Sequence, residues 1–161
     1  MRLASITLAA CLAAGAAHAA TVDVSLARSV RLTDAGASPW DEQETVDTLA
    51  RHLERLGQRH LPAQQSLKIE LLDVDLAGST RLMRRSGQEL RLLKGGADVP
   101  RITLRYTLMS DGRVLRSGED VITDLDYLRR PLDDGYSSES LPHEKRLLDT
   151  WFRERFAPAP G

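Results

Sequence analysis

Leu67-Lys68-Ile69-Glu70-Leu71-Leu72-Asp73-Val74-Asp75-Leu76 alternates apolar and charged side chains, then slips by one position in the middle. Leu67, Ile69 and Leu71 share one parity, whereas Leu72, Val74 and Leu76 share the other. A strand has period two, so an uninterrupted strand burying the first set would drive Asp73 and Asp75 into the core. Two unpaired carboxylates in an apolar interior cost far more than one local kink. The expectation is a β-bulge near Leu71-Leu72 that returns both aspartates to the face of Lys68 and Glu70. The alternative is a sheet covered on both sides.

Downstream, Ile102, Leu104, Tyr106 and Leu108 alternate with Arg101, Thr103, Arg105 and Thr107. Asp111-Gly112 then precedes a second extended run from Val114 to Thr123, which predicts a hairpin with a tight turn and a bulge at Gly118. Leu90 and Leu92 mark another strand, ended by Gly95-Gly96, and Val22, Val24 and Leu26 mark an early one. Ser38 suits a helix N-cap, Pro39 suits its first position, and Asp41, Glu42 and Glu44 favour its positive end. Val46, Leu49, Leu53 and Leu56 form the buried stripe, and Leu61-Pro62 ends that helix. A polar, mobile loop over residues 129–140 leads to a last helix over 141–156, with Leu147, Leu148, Trp151, Phe152 and Phe156 on one face. The order of strand, helix, four strands, helix predicts an α+β fold: a mainly antiparallel sheet of about five strands with two amphipathic helices packed on one face.

The N-terminus has a different character. Met1-Arg2 is a basic start, residues 3–16 are uncharged and rich in Ala and Leu, and Ala17-His18-Ala19 fits an A-x-A cleavage site. Residues 1–19 therefore read as a secretory signal, residues 20–156 as a single α+β domain, and residues 157–161 as a disordered tail. Leu8-Ala9-Ala10-Cys11 offers a lipoprotein alternative, but it leaves a short apolar region before its cut. Cys11 is the one cysteine of the 161 residues, so the mature domain lacks a disulfide, a Cys nucleophile and a thiolate metal site. No later apolar run approaches the roughly 18 residues of a membrane span. A formal charge of −1 argues against nucleic-acid binding.

Asp73 and Asp75, two apart on a strand, point the same way, and Asp98, Asp124 and Asp126 could join them around a hard cation. The glycine and further acids of a calcium loop are missing, which favours structural carboxylates. His52, His60 and His143 have no chelating spacing and read as solvated or capping. No G-x-S-x-G or phosphate-binding glycine pattern is present, so no catalytic residue and no cofactor are assigned. Arg81, Arg84, Arg85, Arg91 and Lys94 face only Glu89 in their segment, while Glu119, Asp120, Asp124, Asp126, Asp133 and Asp134 outnumber Arg129 and Arg130. A basic hairpin for an anionic partner is one reading, and mutual pairing or solvation of these faces is the favoured one.

Several segments carry a resemblance together: residues 72–78, Asp98-Val99-Pro100-Arg101-Ile102 with Leu104 and Tyr106, Asp111-Gly112, Gly118, Asp124-Leu125-Asp126-Tyr127, and Glu144-Lys145-Arg146-Leu147-Leu148 with Trp151-Phe152. In this order they resemble the proteobacterial exported proteins grouped as domain of unknown function 3016, over Val22 to Phe156. Leu32 and His143 stand where that pattern is more aromatic. The resemblance implies export and a shared fold, with no activity attached. Asp73, Asp75, Asp98, Arg101, Asp124, Asp126 and Tyr127 are the candidate binding residues. The function expected is a periplasmic or envelope module that binds an envelope protein, a lipid headgroup or a glycan without catalysis. A metal-assisted enzyme built on the five aspartates and an oligomeric envelope scaffold are the alternatives.

Overall fold

The computed structural model describes residues 20–28, 32–83 and 89–156. The segment read as a secretory signal, Cys11 within it, Arg84, Arg85 and the tail lie outside those residues. The chain forms β1 (Thr21–Leu26), α1 (Pro39–His60), β2 (Gln65–Asp75), β3 (Ser79–Leu82), β4 (Glu89–Leu92), β5 (Arg101–Ser110), β6 (Arg113–Thr123), α2 (Asp134–Ser137) and α3 (Pro142–Phe156). Among the described residues no helix is long and apolar enough to cross a membrane.

The main sheet has four strands in the order β1-β2-β5-β6. Strands β1 and β2 are parallel because α1 carries the chain back to the end from which β1 began, while the other pairs are antiparallel. The α+β class and mainly antiparallel pairing stand, but the expected single sheet of five strands does not. Among the described residues, strands β3 and β4 pair only with each other, as a separate two-stranded arm.

The bulge lies where the alternation slips. Leu71 faces Leu104 and Asp73 faces Thr103, so Leu72 is the extra residue. Leu67, Ile69, Leu71 and Val74 are thereby buried together with Ile102, Leu104 and Tyr106 of β5, while Asp73 and Asp75 remain on the opposite face. In the hairpin, Asp111 and Gly112 have φ of 49° and 76°, the left-handed pair that a two-residue turn requires. The second bulge falls at Leu115, between the Leu108–Arg116 and Met109–Val114 pairs, rather than at Gly118. Gly118 instead lies beneath Tyr106, whose hydroxyl would stand 3.0 Å from a Cβ at that position.

Ser38 caps α1 by accepting from the Asp41 N–H at 3.2 Å, and Leu61 ends the helix in extended conformation before Pro62. The α1 stripe of Val46, Leu49, Leu53 and Leu56 packs with Leu148, Trp151 and Phe152 of α3 in one core. Edge-on aromatic contacts join Tyr106 to Trp151 and Phe156, with ring centres 5.9 and 5.4 Å apart. The region expected as an irregular loop contains the single turn α2.

Gly57 is the point of closest approach between α1 and β1, since a Cβ there would overlap Val22 Cγ2. Gly57→Ala should therefore lower stability in urea unfolding by about 1–3 kcal/mol through overpacking. Gly135→Ala, where a Cβ meets open space, should stay within about 0.5 kcal/mol.

Candidate functional site

The five aspartates do not gather: Asp73 and Asp75 lie at the end of β2, Asp98 at the base of the arm, and Asp124 and Asp126 after β6. Asp73 accepts from the Thr33 N–H and the Thr33 hydroxyl, both at 2.8 Å, and so holds the segment after β1. Asp75 forms a backbone bridge with Asp34 and faces Arg101 across the sheet. Burial, then the negative charges of Asp34 and Asp73, push its carboxyl above the ordinary range. Asp98 contributes its carbonyl, which accepts from Gly78 N–H at 3.0 Å at the base of the arm.

At the end of β6, buried Asp124 pairs with Arg130 at 2.8 Å and Arg146 at 3.4 Å and accepts from the Asp126 N–H. The Asp126 carboxylate is exposed beside Arg129. Tyr127 is buried, accepts from Gly95 N–H through its hydroxyl, and meets His143 edge-on. Arg146 also donates to the Tyr127 carbonyl at 2.8 Å, which fixes this corner to α3. Among the described residues no three His, Cys, Asp or Glu side chains gather as a metal cage, so the aspartate-metal alternative lacks its geometry.

The histidines differ from expectation. His52 and His143 are buried rather than solvated. His52 Nε2 lies 2.8 Å from Asp149, and its Nδ1 lies 3.3 Å from Arg55. A guanidinium only donates, so Nδ1 accepts and Nε2 carries its proton toward Asp149, tying α1 to α3. His143 Nδ1 is buried without a partner among the described residues, and burial followed by the Arg146 charge pushes its pKa down.

A groove lies beneath the β3–β4 arm. Arg91 turns inward from β4: one guanidinium nitrogen reaches the carbonyls of Leu76, Ala77 and Gly78 at 3.2–3.4 Å, and another reaches Asp34 at 2.9 Å. The anionic-partner reading of the basic hairpin therefore loses Arg91. A cleft of about 320 Å³ has Ala35, Leu76 and Leu141 in its apolar lining and Asp41, Glu44 and Glu89 as its acidic lining. A smaller space of about 180 Å³ shares Leu76, Arg91 and Leu141 and adds Leu93, His143 and Glu144. Buried Glu144 accepts from the Ala77 N–H at 2.8 Å, and burial raises its pKa. Leu82, Met83, Leu90 and Leu93 are exposed on the arm and just beyond its strands. The sequence named Arg91 only as one of a basic group and Glu144 only within the family-like segment, and missed their structural roles, although Glu144 stands four and seven residues before Leu148 and Trp151, on the buried helix stripe.

The family model described as "Protein of unknown function (DUF3016)" matches residues 20–154. No curated protein matches the chain. A dodecamer of a PelC variant from Paraburkholderia phytofirmans is similar at 13% identity and a TM-score of 0.33, covering 84% of this chain and 88% of that one. Protein XCC0632 from Xanthomonas campestris, of family DUF330, is similar at 17% identity and a TM-score of 0.33, covering 85% and 80%.

Asp124→Ala removes the carboxylate that Arg146 faces, although Arg146 keeps the Tyr127 and Arg130 carbonyls, and should cost about 1–2 kcal/mol in denaturant unfolding, whereas Asp126→Ala should cost less than about 0.5 kcal/mol. The pH dependence has a defined sign. A carboxyl whose folded pKa is raised favours folding at low pH, and that contribution is lost as pH rises from 4.5 through the raised value. The stability of Glu144→Gln relative to the parent should accordingly climb across that window, as measured by urea unfolding at several pH values.

Proposed function

The chain belongs to the family of proteins of unknown function DUF3016, and from that footing we propose that it is an exported, non-catalytic interaction module of the cell envelope. It binds a basic, partly apolar segment of a partner protein in the groove under the β3–β4 arm. The observation that carries this reading is the groove's composition: an apolar lining beside Asp41, Glu44 and Glu89, with its arginine already committed to Asp34 and three backbone carbonyls. Such a surface attracts cations and disfavours phosphate or carboxylate groups. The exposed leucines of the arm extend the apolar contact, as interaction surfaces do. The carboxylates of Asp73 and Asp124 and the His52 ring are held by internal bonds, which supports binding rather than chemistry. Export rests on the basic start, the apolar stretch and the A-x-A site of residues 1–19.

Fluorescence anisotropy with labelled Lys-Leu and Glu-Leu peptides tests the groove. The Lys-Leu peptide should bind saturably, and Glu44→Lys should weaken it at least about tenfold. Equal binding of the Glu-Leu peptide, or no effect of Glu44→Lys, rejects the site. Export is tested by N-terminal sequencing of the cellular protein: a start at Ala20 is expected, and an intact Met1 or an acylated Cys11 overturns it.

A further inference from the structure

We propose that β6 is a self-pairing edge, which joins two copies of this chain antiparallel about Gly118 into one eight-stranded sheet. Strand β6 runs for 11 residues at the end of the main sheet, and among the described residues nothing pairs with its outer side. Such an edge presents a row of free N–H and C=O groups, and natural edges are usually blunted by proline, lysine or a central bulge. Strand β6 has no proline, its charges Arg116, Glu119 and Asp120 are of opposite sign on the two sides of Gly118 and so oppose a foreign strand more than a second copy, and its bulge at Leu115 leaves Arg116 to Thr123 in regular register with β5.

The sequence Leu115-Arg116-Ser117-Gly118-Glu119-Asp120-Val121 complements its own reverse. Antiparallel pairing about Gly118 sets Arg116 against Asp120 and Ser117 against Glu119, each pair twice by symmetry, and brings Leu115, the bulge residue at the end of that register, beside Val121. Leu115 and Val121 are 56% and 64% exposed in the single chain and would be covered by the added strand. Arg116 and Asp120 are both on the helix side, facing Leu108 and Leu104 of β5. Asp120 already accepts from Trp151 Nε1 at 2.8 Å and Arg155 at 2.9 Å, and its carboxylate retains lone pairs for a second arginine. Gly118 puts no side chain at the two-fold axis, and Tyr106 occupies the space where its Cβ would stand. A cleft of about 370 Å³ between β6 and α3, lined by Ile122, Leu147, Trp151 and Glu154, leaves room for the helix-side residues of an added strand. The opposed charges and matched apolar pairs select a second copy over an unrelated strand.

The test measures mass by light scattering for three forms: the parent, Leu115→Lys with Val121→Lys, and Leu115→Glu with Val121→Glu. The parent should dimerise with a dissociation constant of order 10 µM, as a small interface allows. Each double variant sets like charges against one another and should be monomeric, and an equal mixture of the two should recover the dimer. Circular dichroism checks that each variant folds, and amide exchange over residues 115–121 should slow as parent concentration rises. A parent that stays monomeric near ~500 µM, double variants that dimerise like the parent, or exchange independent of concentration overturns the proposal.

Discussion

Leu72 decides which side of the sheet its neighbours occupy, and the cost of burying carboxylate is what places it. With that one residue outside the pairing, Val74 and Leu76 join the core while Asp73 and Asp75 face outward. Asp73 can then hold Thr33 by two bonds, and this fixes the segment after β1 beside the end of β2. Asp34 follows, donating its N–H to the Val74 carbonyl and accepting from the Leu76 N–H through its own carbonyl. Its carboxylate receives Arg91, and Arg91 secures the arm. A single offset in β2 thus leads, bond by bond, to the groove.

Charge in this protein is concentrated at joints between elements. The Arg105 pairs with Glu70 and Glu119 lie on the exposed sheet face and contribute little, because solvent screens them and side-chain entropy opposes them. The joints that matter lie deeper. His52 with Asp149 links the two long helices, Asp120 with Trp151 links β6 to α3, and Asp124 with Arg146 links the end of the hairpin to α3. Breaking one partner of such a joint leaves a polar group stranded without water, which costs more than the joint contributes when whole. Glu144 and Lys145 follow the same pattern, each buried near the start of α3 and each bonded, to the Ala77 N–H and Glu139 respectively.

Some of this architecture was readable in the residues because one physical term dominated locally. The slip at Leu71-Leu72, the Ser38 cap and the Asp111-Gly112 turn each offered one low-energy solution, and the chain adopts it. Where terms compete across distant segments, the sequence is silent. Leu90 and Leu92 look like any short strand, Ser79–Leu82 does not announce itself as one, and nothing near them says that the two pair apart from the main sheet. Gly118 suggests a bulge until Tyr106 is known to lie over it. Arg91 reads as one basic residue among several until Asp34, 57 positions earlier, is brought to it by the bulge. His143 and Glu144 look solvated by type, but their place on the α3 stripe buries them.

If the groove binds as proposed, the arm connects stability to recognition. A two-stranded ribbon is marginal alone, because each strand covers only one edge of the other and neither face is packed. Here the ribbon also carries exposed Leu82 and Leu90, which gain nothing from water. Its attachment concentrates at Arg91 and at Gly78, whose φ of 81° and close approach to the Leu92 carbonyl leave no room for a side chain. The groove beneath is therefore as firm as those two contacts, and a ligand touching both arm and α1 strengthens them by bridging the same gap. Binding and ordering of the arm then draw on one free energy, so whatever loosens Arg91 from Asp34 also weakens the site.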